Sequence, residues 1–222
     1  MYFSNDKKDM VLKGTTTVGV TYPRGVVIAA DKRASAGTFI ASKKAQKIHP
    51  ITDNIVFTIS GLVADAQILV KWIRNHVKRM SIEQNRPPLV KEVANLTSML
   101  LHNYFRTLIP FMVHFIIGGI DPTGPHIFFL DHTGGAQEDK FISTGSGSPV
   151  AYGVLEAEYR RDLTEEDAIK LALRALRSAI KRDAATGDGI DLAVITREGV
   201  KVFKPEEIEK YLKDLDVILR EG

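Results

Sequence analysis

Two β-sheets packed face to face, with helices on both outer sides, make the fold this sequence predicts: an α+β, four-layer αββα sandwich. Three observations carry the expectation. Strand-like and helix-like stretches come in blocks, as strands, two helices, strands, two helices, strands. Each strand block has an apolar face to bury, and stacking the blocks with helices outside buries both. Strands do not alternate singly with helices, which argues against a doubly wound parallel sheet and for mainly antiparallel pairing. The chain of 222 residues shows no repeat and no internal linker, so its length suits one domain.

The elements follow in order. Thr15 to Tyr22 is rich in β-branched residues and reads as a strand, Pro23-Arg24-Gly25 as a tight turn, and Val26 to Asp31 as its hairpin partner. Asp31 to Gly37 reads as a polar segment leaving a buried strand, and Phe39 to Ala45 as a mixed stretch. Asn54 to Ser60 is a third strand. Ile68, Leu69, Trp72, Ile73, His76 and Val77 recur at helical spacing and predict a helix from Ala64 to about Gln84. Asn85-Arg86-Pro87-Pro88 breaks it, and a second helix runs from about Val90 to Arg106. Met112 to Asp121, Ile127 to Asp131 and Asp139 to Thr144 read as strands. A helix follows to about Arg160. The next, Glu165 to Asp183, carries an apolar stripe that includes Ala168, Leu171, Ala172, Ala175 and Leu176. Thr164 with Asp167 forms its capping box. Strands at Asp191 to Thr196 and Val200 to Phe203 precede a last, charged helix opened by Pro205.

Composition narrows the chemistry. There is no cysteine, so disulfides, thiolate metal sites and cysteine nucleophiles are excluded. The net charge of +3 is spread without a dense Lys/Arg block, which argues against nucleic acid as a partner. The six histidines are scattered; His126 and His132 flank a strand-like run, with no H-x-x-x-H or H-E-x-x-H spacing, so no metal site is expected. The leader, Met1 to Gly14, is charged and lacks the apolar core of a secretory signal, and no run is long enough to span a membrane. It reads either as a frayed terminus or as a removable propeptide.

The stretch Gly14-Thr15-Thr16-Thr17-Val18-Gly19 marks the start of the β pattern. Three threonines there are what any strand would carry. The chemical reading makes Thr15 a nucleophile. Its hydroxyl needs a base, and an α-amine of pKa roughly 7.7–8.0 would serve, provided that the Gly14–Thr15 bond is cut first. Gly14, without Cβ, leaves room for a sharp bend at that bond. Asp31 ends an apolar strand and needs a partner if buried. A lysine such as Lys47 beside a nucleophile would stabilise an alkoxide, although by spacing alone the two read as an ordinary surface pair. Gly145-Ser146-Gly147-Ser148 lacks both the GK[ST] ending and the G-x-G-x-x-G spacing, so nucleotide binding is not expected; its serines either cap a helix or donate into a site. Thr186-Gly187-Asp188-Gly189 reads as a tight turn rather than a cation loop.

Taken together, these motifs resemble the β subunits of the proteasome, most closely the archaeal kind. The resemblance covers the chain after Gly14. It rests on the Gly14–Gly19 stretch, Ala30-Asp31-Lys32-Arg33-Ala34-Ser35, Lys47-Ile48, Ser60-Gly61-Leu62-Val63-Ala64-Asp65, Gly145-Ser146-Gly147-Ser148 and Arg182-Asp183-Ala184-Ala185-Thr186-Gly187, all in the family's order. It implies the N-terminal-nucleophile hydrolase fold. It also implies a threonine endopeptidase, with residues 1–14 as a propeptide removed by autolysis between Gly14 and Thr15, and 15–222 as the catalytic domain. Thr15 would be the nucleophile and its freed amine the base. Lys47, held by Asp31, would lie beside the hydroxyl, and the Gly61 N–H would form the oxyanion hole. Ser146, Asp183 and Thr186 would support the amine. The family usually has Ser where Thr186 stands and often Ala where Val63 stands. Arg33 would be structural. Substrate would lie extended along Ser35, Gly61 and Val63, with Ala34, Ala45, His49, Ile59 and Val63 lining the pocket before the cut.

The same resemblance implies a heptameric ring, of one or more β subunits, stacked on a second β ring. Rings of α subunits would cap the pair and receive unfolded polypeptide from a regulatory ATPase. It implies a cytoplasmic location, no membrane, and no organic cofactor or metal. Two other readings remain at this level: a non-catalytic or unprocessed ring subunit, and a different N-terminal-nucleophile amidohydrolase acting on small amides.

Overall fold

The computed structural model describes residues 14–107 and 110–221, with side chains to residue 215. The expected leader lies outside the described residues except for Gly14. Among the described residues the chain forms twelve strands and five helices. In order these are β1 (Thr16–Tyr22), β2 (Gly25–Asp31), β3 (Ala34–Ala36), β4 (Phe39–Ser42), β5 (Ile48–Thr52), β6 (Ile55–Gly61), α1 (Val63–Gln84) and α2 (Val90–Phe105). There follow β7 (Val113–Asp121), β8 (Gly124–Leu130), β9 (Ala136–Glu138), β10 (Phe141–Gly145), α3 (Ser148–Glu158), α4 (Glu165–Arg182), β11 (Ile190–Thr196), β12 (Gly199–Val202) and α5 (Pro205–Glu221).

The architecture is the four-layer sandwich. One sheet has the order β10-β1-β2-β11-β12 and the other β5-β6-β7-β8-β9, with β3-β4 as a separate hairpin. Neighbouring strands in both sheets pair antiparallel. The inner layer between the sheets holds Val26, Ile28, Ile48, Val56, Ile116 and Ile127. Val18, Val20 and Val27 face the other way, onto Ala168, Leu171, Ala172 and Ala175 of α4. Ile55, Phe57 and Ile59 pack under α1 and α2. Because both faces of each sheet are covered, β1 and β2 are buried along their whole length and show no polar alternation. α4 begins with the expected box, in which Thr164 Oγ1 accepts from the Asp167 N–H at 3.1 Å and the Thr164 N–H donates back to Asp167 at 3.3 Å.

Four short strands depart from the sequence reading. β3 and β4 occupy the segments read as polar and mixed; their hairpin is largely exposed, so no buried face imprints a pattern. β5, which contains His49 and Pro50, falls between the mixed stretch and the third strand, where the sequence predicts no element. It is an edge strand with a register shift after Pro50, where a residue without an N–H is tolerated. β9, Ala-Gln-Glu, is fully exposed. In α1 the buried line is Leu69, Val70, Ile73 and Val77, whereas Ile68, Trp72 and His76 face outward. Among the described residues no helix is long and apolar enough to cross a membrane.

Candidate active site

One end of the sandwich gathers the groups singled out in the sequence. β1 begins there and β2 ends there; β10 ends and β11 begins alongside them. Thr16 stands opposite Gly145, and Asp31 opposite Ile190. These registers bring Ser146 next to Thr15, and the loop from Asp183 to Gly189 next to Asp31. The second sheet reaches the same end through β6. Ser60 Oγ donates to Thr144 Oγ1 at 3.1 Å, and Thr58 Oγ1 to Thr17 Oγ1 at 3.1 Å.

Asp31 and Lys47 are not a surface pair. Lys47 Nζ lies 2.5 Å from Asp31 Oδ1, with side-chain exposures of 6% and 0%. The carboxylate is fully used: Oδ1 also accepts from the Thr16 N–H at 2.9 Å, and Oδ2 from the N–H groups of Arg33 at 3.1 Å and Gly187 at 2.9 Å. Three backbone donors plus an ammonium make burial of this charge tolerable. Burial pulls the Lys47 ammonium below the ordinary lysine range, and Asp31 opposes that pull. Thr16 and Lys47 share one oxygen of Asp31, so the ammonium sits against the backbone one residue from Thr15.

A second set of bonds reaches Thr15 from α4. The Thr15 N–H points to Ser146 Oγ at 3.3 Å, and Ser146 donates to Asp183 Oδ2 at 2.5 Å. Thr186 donates to the same oxygen at 2.5 Å, so its contact with Thr16 Oγ1 at 2.7 Å takes the Thr16 proton. Asp183 is fixed where α4 ends, its N–H bonded to the Ala179 carbonyl at 2.8 Å. Arg33 staples the loop beyond: Nε donates to Asp188 at 2.7 Å and Nη1 to the Ala184 carbonyl at 2.6 Å.

Two glycines are required by the local geometry. Gly61 has φ +114°, and a Cβ there would lie 2.3 Å from the Met112 carbonyl oxygen. At Gly14 the constraint is steric: a Cβ would sit 1.7 Å from Ala185 Cβ. Its N–H is held by Ser35 Oγ at 2.9 Å.

The structure therefore brings together Thr15, Asp31, Lys47, Ser146, Asp183 and Thr186, with Gly14 and Ser35 at the preceding bond. Ala34, Ala45 and His49 are half-buried on the β3–β5 segment, and Val63 opens α1 with 40% exposure. Ile59 is set deeper, packed in the core under α1. Desolvation of the His49 ring lowers its pKa, while its bond to the Gln46 carbonyl opposes the shift. Sequence reasoning missed Thr16 and the hydroxyl row Thr58–Thr17–Thr144–Ser60. The signal was present: with a strand period of two, Thr15 and Thr17 point one way and Thr16 the other.

Comparison with known proteins shows the family of the chain. The family described as "Proteasome subunit" matches residues 11–195, well over half of the chain. The chain is 49% identical over 210 residues to the proteasome subunit beta of Ferroglobus placidus, covering 93% of this chain and 98% of that one. It is 50% identical over 209 residues to that of Methanocaldococcus jannaschii, covering 92% of each. With proteasome subunit beta 1 of Korarchaeum cryptofilum it shares 44% over 206 residues, covering 93% of this chain and 99% of the relative. On this match the chain belongs to the proteasome subunit family.

Proposed function

We propose that this chain is a β-type proteasome subunit that acts as a threonine endopeptidase, with Thr15 as nucleophile after removal of residues 1–14. The observation that carries the reading is that two hydrogen-bonded sets, linked through Thr16, meet at the Thr15–Thr16 backbone. One is the buried Lys47–Asp31 pair bound to the Thr16 N–H; the other is the Ser146–Asp183–Thr186 set bonded to the Thr15 nitrogen. A purely structural ring subunit has no need of a buried lysine held beside a threonine nitrogen.

The chemistry follows in balanced steps. In the uncut chain Thr15 Oγ1 attacks the Gly14 carbonyl, the acyl group moves from nitrogen to oxygen, and water hydrolyses the ester. Residues 1–14 leave with a new carboxylate, and Thr15 gains a free amine. In the mature subunit that amine takes the hydroxyl proton as Oγ1 attacks a substrate carbonyl. The Lys47 charge stabilises the developing alkoxide, and the Gly61 N–H receives the oxyanion, a contact whose loss typically costs roughly 10²–10³ in rate. The peptide C–N bond breaks, its nitrogen takes the proton, and water releases the acyl group from Thr15. Arg33 acts through the loop it staples, as a positioning residue.

Membership of the family gives a peptidase subunit of a multi-subunit core, and answers the alternative of a separate small-amide hydrolase. Exposed Ile68, Trp72, Met99 and Phe105 on α1 and α2 fit subunit contacts. Heptameric β rings stacked in pairs, capped by α rings and fed unfolded polypeptide by an ATPase in the cytoplasm, complete the proposal.

Specificity is set by Ala34, Ala45, His49, Ile59 and Val63. None is acidic, and burial keeps His49 uncharged at neutral pH. Cleavage is therefore expected after large apolar residues. In particles assembled with α subunits, fluorogenic peptides with Tyr or Leu before the cut should have higher kcat/KM than matched Arg or Glu peptides. Val63→Ala should raise the ratio of bulky aromatic to small substrates by up to roughly tenfold, within the range one or two methylenes are worth. Equal cutting after Arg and Tyr would show that these residues do not form the pocket.

A further inference from the structure

A cavity of about 770 Å³ opens at the catalytic end. Gly14, Gly61 and Ser146 line it where it meets the Gly14–Thr15 bond. None of Ala34, Ala45, His49, Ile59 or Val63 does. Its outer wall is Met112, His114, Phe129 and His132, and its floor includes the buried hydroxyls of Ser60 and Thr144.

The wall has a specific chemistry. His114 and His132 face each other with ring centroids 5.6 Å apart, and His132 Nδ1 lies 3.4 Å from His114 Nε2. Phe129 extends this row beyond His114 at 5.9 Å, and Phe105 meets His132 edge-on at 5.8 Å. Burial, reinforced by His132, holds the His114 ring below the usual histidine range, so at neutral pH it carries no charge.

We propose that this cavity receives the substrate residue immediately after the scissile bond, and that His114 and His132 select an aromatic side chain there. The inference rests on Thr15 being the nucleophile. A peptide whose acyl side lies against Val63 and whose carbonyl oxygen meets the Gly61 N–H must continue past Thr15 on the Ser146 side, where the cavity begins. Removal of Gly14 with the leader enlarges that entrance. An aromatic ring entering it meets the tilted rings of His114, His132 and Phe129, and the sulfur of Met112 at the mouth, all of which favour aromatic partners. A charged side chain would lose hydration against this wall without a counter-charge.

The test uses assembled, processed particles and internally quenched peptides that are identical before the cut and carry Tyr, Phe, Gly or Asp directly after it. The Tyr and Phe peptides should have kcat/KM roughly fivefold above Gly, which is what one good aromatic contact is worth, with Asp lowest. His114→Ala and His132→Ala should each bring the Tyr-to-Gly ratio to within about twofold, whereas His114→Phe, which restores a ring, should keep it. A general structural defect would lower all four peptides together and leave the ratio in place. A peptide aldehyde, which has nothing beyond the carbon that Thr15 attacks, separates the two claims. Failure of the aldehyde to inhibit the wild-type particle removes the nucleophile reading and this one with it. Inhibition by the aldehyde, combined with an unchanged Tyr-to-Gly ratio in both alanine variants, overturns the cavity assignment alone.

Discussion

Replacing Thr15 by alanine is expected to leave a folded, assembled particle in which every copy keeps residues 1–14 and peptide hydrolysis is lost, by roughly 10⁴-fold or more, as for other essential nucleophiles. The hydroxyl is needed twice, once to open the Gly14–Thr15 bond and once in each turnover. Little structure depends on it: Thr15 contributes its nitrogen to Ser146, and that bond survives in alanine. The neighbouring threonine gives the contrast. The Thr16 hydroxyl is committed to Thr186 at 2.7 Å, so Thr16→Val removes one hydrogen bond of about 1 kcal/mol, and the loss should stay near fivefold. Intact mass and kcat/KM of the two variants check this. A Thr15→Ala particle that still sheds its leader would place the nucleophile elsewhere.

Lys47→Ala should abolish turnover while the subunit still folds. Removing one partner of a buried pair costs about 3–5 kcal/mol when the other is stranded. Here Asp31 retains the N–H groups of Thr16, Arg33 and Gly187, so the cost should fall at or below about 3 kcal/mol. A domain with roughly 5–15 kcal/mol of stability tolerates that. Lys47→Arg keeps the charge and should fail as well. Lys47 Nζ is buried against Asp31 at 2.5 Å, and the larger, planar guanidinium cannot place its charge at the same point. Thermal unfolding and single-turnover acylation, measured on both variants, separate stability from chemistry. Near-normal turnover of an assembled Lys47→Arg particle would mean that the ammonium at this position does not act on the hydroxyl.

Much of this arrangement is legible in the sequence, and the reasons differ by element. The block order and the apolar runs of β2, β6 and β7 suffice for the sandwich, because two sheets with apolar residues on both faces have few ways to hide them. α4 announces itself through its stripe and its Thr164–Asp167 box. The short strands β3, β4 and β9 are exposed, and β5 lies at an edge with Pro50, so burial leaves no period-two pattern there to read. The doubled stripe of α1 misled for a related reason. Trp72 faces outward and packs on Tyr104 and Phe111 at centroid distances of 5.8 and 6.3 Å, apolar but outside the core.

The site was harder to see than the fold. Nothing local to Asp31 and Lys47 reveals that their pair is buried; that follows from β11 pairing with β2 and carrying Gly187 onto the carboxylate. Likewise Ser146 reaches Thr15 only because β10, 120 or more residues later in the chain, pairs with β1 at Thr16 and Gly145. Spacing along the chain carries no trace of such long-range registers. The motifs could be recognised as a set, whereas the bonds among them required the fold.

The most direct measurement is the N-terminal sequence of this subunit in a particle, assembled with its α partners, that hydrolyses peptides. Every active copy is expected to begin at Thr15, with the mass of residues 1–14 gone. An active particle in which the subunit still begins at Met1 would contradict it, since the amine proposed as the base would then not exist.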